Sequence, residues 1–200
     1  MDEFIEGIYL SELVAQCEFG VGSVQRMNNM LQNHGSPSEF FREAGNFLQH
    51  SSAVSRLLWP PGGNSRQKKK RAKQRGAHLR KNLEIGDDHT LKDRTLRDHF
   101  EHFDERLDDW AETSPNKNIV DNMIGPRNAI GGFSIKDDDI MRLFDPATKM
   151  LIFRGERFDV QALVNGLTDI QTRARKRLEK LEANRRMQPT PKSGAANAGR

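Results

Sequence analysis

Apolar side chains recur every three to five positions along most of the chain, and this rhythm constrains the fold most because it suits a helix and not a strand. From Asp2 to about Gln32, Ile5, Ile8, Leu13, Cys17, Val21, Val24, Met27 and Leu31 keep the spacing and predict a long amphipathic helix. Gly20 and Gly22 weaken it; each costs about 1 kcal/mol against Ala in a helix interior, so together they mark a candidate bend. "NHGSPSEF" stops this helix at Gly35 and starts a second, with Ser36 or Ser38 as cap and Pro37 in the first turn. Phe40, Phe41, Ala44, Phe47, Leu48, Val54, Leu57 and Leu58 give the second helix a wide apolar stripe, and "WPPGGNS" ends it.

The period returns between Asp88 and Thr113, where Leu96, Phe100, Phe103, Leu107 and Trp110 follow a four, three, four, three rhythm. Residues 114–134, opening "SPNKNIVDNMIGPRNAIGGF", break it with prolines, glycines and asparagines and predict a long loop. Over 140–158 the period shortens: "IMRLF", "DPATK" and "MLIFRGERFDV" read as a β-hairpin, with Asp145 and Pro146 suited to its turn. Asp159 can cap a last helix that buries Val160, Leu163, Leu167, Ile170, Ala174, Leu178 and Leu181. Residues 185–200 have almost nothing to bury and are expected to be a disordered tail. The expected fold is mainly α, an antiparallel bundle of four to five helices with a β-hairpin inserted before the last helix, in one domain over 1–184.

At 35% hydrophobic content the core must be lean. No run of about 18 apolar residues is present and "MDEFIEGIYLSEL" is acidic where a secretory signal is basic, so the expectation is a cytoplasmic protein with no membrane association. Cys17, the single cysteine, cannot form an internal disulfide, and its apolar surroundings favour a buried thiol over a nucleophile.

The net charge of +4 hides a strong sorting of charge. Residues 66–81, "RQKKKRAKQRGAHLRK", hold nine Lys or Arg and no acid, whereas 84–112 hold eleven acids against four bases. The 60–75 segment is expected to be a basic linker or arm, either a solvated helix or partly disordered. Lys68, Lys69, Lys70, Arg71, Lys73 and Arg75 are its candidate nucleic-acid contacts. A nuclear-import signal, or a solubilising face that docks on the chain's own acidic surface, fits the same residues. No aromatics are interleaved, so such contacts would act on the phosphate backbone and not by base stacking.

The stretch "RDHFEHFDERLDDW" over 97–110 carries two histidines, two arginines and six acids. At 100° per residue Arg97 and His102 lie about 140° apart, so they can converge only on a substrate held across the helix, most easily with a second subunit as the opposite wall. The plain alternative is a solvent face of routine ion pairs, each worth a few tenths of a kcal/mol. His99 and His102 at i, i+3 permit a metal, yet neither a His-Glu-x-x-His helix nor a paired Glu-x-x-His set is present, so no metal and no cofactor are expected.

"RDHFEH" resembles the signature of HEPN domains: an Arg, a polar neighbour, and a His after four to six intervening residues, within a helical bundle. Arg97, Asp98 and His102 match that pattern; Arg94 and His99 have the same spacing with Thr95 as a less typical neighbour. The resemblance covers about one helix and implies an RNA-binding protein that works as a homodimer, either as a metal-independent endoribonuclease or as a scaffold. In the nuclease case His102 would move the proton of the ribose 2'-hydroxyl or leaving group, Arg97 would hold the phosphate, and Asp98 and His99 would support them. The partners implied are a second copy, RNA, and an antidote or other protein. A non-catalytic interaction protein using its basic arm and acidic helix face is the alternative.

Overall fold

The computed structural model describes residues 1–61, 65–131 and 135–187. It is mainly helical, with a small sheet inserted before the last helix. Helix α1 (Glu3–Gln32) starts at Asp2, whose carboxylate accepts the Ile5 N–H at 2.8 Å. It runs unbroken through both glycines. Gly20 sits against α6: a Cβ there would stand 2.8 Å from a Leu167 methyl, so the glycine serves helix contact and not an interruption. Helix α2 (Pro37–Leu58) places Pro37 in its first turn, as its sequence implies.

Helix α3 (Arg66–Leu83) is the basic segment, fully helical from Arg66. It crosses the end of α2, whose last carbonyls it caps: Arg75 donates to the Arg56 and Leu57 oxygens at 3.1 and 3.5 Å, and Arg80 donates to the Leu58 oxygen. Gly76 makes that crossing possible, because a Cβ there would lie 2.4 Å from the Leu58 oxygen.

The single helix expected over Asp88–Thr113 is three pieces: a 3-10 turn (Thr90–Lys92), α4 (Thr95–Glu101) and α5 (Phe103–Thr113). Asp93 takes both the backbone N–H and the hydroxyl of Thr95, at 2.9 and 2.7 Å, and so starts α4 late. The break at His102 (φ −107°, ψ 40°) separates Phe100 from Phe103, and both rings reach Phe153, at 6.2 and 6.1 Å between centroids.

The expected hairpin is present and enlarged. β2 (Leu143–Asp145) and β3 (Met150–Phe153) pair antiparallel around the Asp145 turn, and β4 (Glu156–Asp159) pairs antiparallel with β3. From the expected loop, β1 (Met123–Ile124) joins β2 in parallel, giving the order β1-β2-β3-β4. The sheet divides the apolar residues by its two-residue period: Phe144 and Leu151 join the main core, while Leu143 and Ile152 join a small cluster on the other face with Ile140. Helix α6 (Val160–Met187) follows directly; Asp159 accepts the Ala162 N–H at 2.9 Å. It extends through 185–187, which the sequence assigned to the tail, and the remaining tail residues lie outside the described ones.

Leu10, Leu13 and Cys17 of α1, Phe40, Phe47 and Leu58 of α2, Leu79 of α3, and Leu167, Ile170 and Ala174 of α6 are fully or almost fully buried together. Burial pushes the Cys17 thiol up to about 12, which leaves it inert at neutral pH. One polar knot crosses this bundle. The Glu6 carboxylate, 2% exposed, accepts from Arg177 Nε at 2.7 Å and Nη2 at 3.2 Å, from Asn82 at 2.9 Å, and faces His78 Nε2 at 3.1 Å, tying α1, α3 and α6. Burial opposes its ionisation, but the Arg177, Asn82 and His78 contacts win and hold it at about 2. No helix among the described residues is long and apolar enough to cross a membrane.

Candidate functional site

The basic helix and the Arg–His stretch are built differently. Residues 65–71 are exposed on every side of α3, which meets the bundle only from Ala72 onward. Lys68, Lys69, Lys70, Arg71 and Lys73 are exposed and, among the described residues, their side chains have no hydrogen bond or ion pair. Arg75 departs from this set: it is half-buried, capping α2 and lying over the Tyr9 ring at 5.4 Å. The placement of the free cations is unfavourable for the helix itself. They crowd its first turns, the positive end of the helix dipole, with no acid and no side-chain cap from Ser65. Lys69 and Lys73, like Arg66 and Lys70, are like-charge i, i+4 neighbours, each pair costing roughly 0.2–0.5 kcal/mol.

In the Arg–His stretch, the break at His102 sends the side chains to different surroundings. Arg97 is 16% exposed; its Nη1 meets Glu101 at 2.8 Å and its Nη2 pairs with Asp98, while Nε is buried with no partner. It lines a cleft of about 600 Å³ between α2, the 87–94 segment, α4, β4 and α6. His102 does not line that cleft. It is 52% exposed, with Nδ1 3.3 Å from Glu105. Asp98, half-exposed, serves Arg97 and is not aimed at the His102 ring.

His99 is in neither place. Its ring stacks on Phe153 at 4.7 Å and 11°, and Arg106 Nε donates to Nδ1 at 3.3 Å. Glu156 approaches Nε2 to 3.3 Å without the alignment of a hydrogen bond. His99 therefore fastens α4 to the sheet. Within one chain, then, Arg97, His99 and His102 face a cleft, a sheet and solvent respectively, and share no crevice.

Sequence reasoning missed the cleft. Ser52 and Ser55 of α2 lie in its wall, buried and with no partner for either hydroxyl, beside Leu48, Leu96 and Phe158. Arg94 and Arg157 line it as well; neither guanidinium forms a hydrogen bond or close ion pair among the described residues, though the charge of Arg157 acts on Asp145. The readable signal was the "SSAVS" cluster on an otherwise apolar stripe, since buried hydroxyls need a reason.

No protein-family model, no curated protein and no solved structure matches this chain.

Proposed function

We propose that this chain is a helical RNA-binding protein that grips the phosphate backbone with the free end of α3. The carrying observation is the five cations, Lys68, Lys69, Lys70, Arg71 and Lys73, whose side chains have no partner among the described residues, on a helix whose own stability they reduce. A charge arrangement that weakens its helix is relieved by an external polyanion, which neutralises the run and gives up the counterions condensed on its own phosphates. Arg75, Arg80 and Gly76 anchor the other end, so the basic segment meets its partner already helical and loses less entropy on binding than a disordered arm. RNA is the polyanion favoured because "RDHFEH" resembles the HEPN signature. The test is fluorescence anisotropy with a labelled single-stranded RNA. The triple variant Lys68→Glu, Lys70→Glu, Arg71→Glu is expected to weaken binding at least about 100-fold at low salt, and an unchanged affinity rejects the reading.

The second reading is metal-independent cleavage by Arg97 and His102, supported by the break that leaves the His102 imidazole half-exposed at a helix junction. It requires a homodimer, in which the second copy brings one phosphodiester to both groups. Incubation with RNA in EDTA, with Arg97→Ala and His102→Ala alongside, decides it. Products ending in 2',3'-cyclic phosphate that disappear in both variants support cleavage, and identical behaviour of all three proteins rejects it. A partner protein on the acidic face of α5 is the non-nucleic-acid outcome: binding of a protein that survives the α3 triple variant.

A further inference from the structure

We propose that the cleft between α2, the 87–94 segment, α4, β4 and α6 binds a small amphipathic molecule with an apolar body and one oxyanion head. Its wall holds an uncommon excess of unused donors. A buried helical serine ordinarily returns its hydroxyl to the carbonyl four residues back, as Ser51 does to Phe47 at 2.8 Å. Ser52 and Ser55, 2% and 1% exposed, do not, and the Nε of Arg97, which lines the same cleft, is also buried without an acceptor among the described residues. Each such group loses its water without gaining a partner, so three around one cleft mark a place where an acceptor from outside is missing.

The charges sharpen this to an anion. Most acids along the cleft are committed: Asp87 to Trp59 Nε1 at 3.0 Å, Asp93 to Thr95, and Asp159 to the start of α6. Asp88, at the His89 end, is the remaining one. The Arg94 guanidinium has no acid paired with it among the described residues, Arg157 feels only the more distant charge of Asp145, and a guanidinium can only donate. Leu48, Leu91, Leu96 and Phe158 supply the apolar wall. At about 600 Å³ the space falls within the size of known small-molecule sites. An oxyanion head accepts several donors at once, and an apolar tail covers the leucines.

Octanoate, octyl phosphate and 1-octanol are suitable probes, each titrated into the full chain below about 5 mM and read by amide chemical shifts and calorimetry. Octanoate, octyl phosphate or both should bind saturably with one site, shifting amides of Ser52, Ser55, Leu91 and Arg97, and 1-octanol should bind at least about tenfold more weakly. Ser52→Ala/Ser55→Ala and Arg97→Met should each reduce affinity for the bound anion by about tenfold or more. Leu163→Trp, which fills the cleft from α6, should abolish it with the fold intact by circular dichroism. Comparing the two anions tells a carboxylate from a phosphate head. Equal binding of octanol, shifts away from this cleft, or no saturable binding of either anion overturns the proposal, and none of these outcomes bears on α3.

Discussion

Replacing Glu6 by Gln removes one charge from the centre of the bundle while keeping the side chain's shape. The wild-type carboxyl is held at about 2 against an ordinary 4.5, so its ionised form is favoured by folding. At about 1.4 kcal/mol per unit this amounts to roughly 3 kcal/mol at neutral pH, reduced to about 2 kcal/mol because Arg177 and His78 are partly open to solvent. The sign is that of a depressed acid: its stabilisation is complete above about pH 4.5 and is lost as pH falls toward about 2. Urea unfolding of wild type and Glu6→Gln at a series of pH values is the assay. The variant should be about 2 kcal/mol less stable at pH 7, a fall in Tm of roughly 4–8 °C. That gap should close as the wild type is titrated to about pH 2, where a protonated Glu6 resembles Gln. A gap that stays constant across the whole range would show that the loss is steric and would refute the electrostatic role assigned to Glu6.

Gly76→Ala should destabilise the protein by about 1–3 kcal/mol in the same assay, since the new methyl collides with the Leu58 carbonyl. Phe153→Ala empties the contact on which His99, Phe100 and Phe103 converge and should cost about 3–5 kcal/mol, with the amide signals of α4 and α5 moving most. Cys17 should resist an aromatic disulfide reagent at pH 8 in the native state and react at once in denaturant. Lowering pH through the ordinary histidine range should also destabilise the fold, because burial lowers the affinity of His89 for its proton and the unfolded chain binds that proton more readily.

Helices α1, α2 and α6 were legible because their apolar periods run for five or more turns between clear start and stop residues. The break at His102 was not, since "FEHFD" contains neither Pro nor Gly and the cause is tertiary: Phe100 and Phe103 both reach Phe153, a partner some fifty positions away. β1 was equally silent. Two residues cannot show a period, and their partner Leu143–Phe144 lies across a long connection. The charge run that forms α3 was visible, but Arg75's diversion to the end of α2 follows only from where α3 crosses α2. The cleft assembles residues from Leu48 to Leu163, so no local pattern could outline it; only its unpaired serines left a trace. The 140° between Arg97 and His102 follows from helix geometry alone, whereas the break at His102 that lies between their surroundings does not.

The salt dependence of RNA affinity tests the central claim most directly. Five phosphate contacts by Lys68, Lys69, Lys70, Arg71 and Lys73 should give a slope of log K against log salt near about −3.5 for a single strand, and Lys68→Gln/Lys70→Gln should make it shallower by about 1.4. A slope near zero, or one that the double variant leaves untouched, contradicts the assignment of RNA binding to α3.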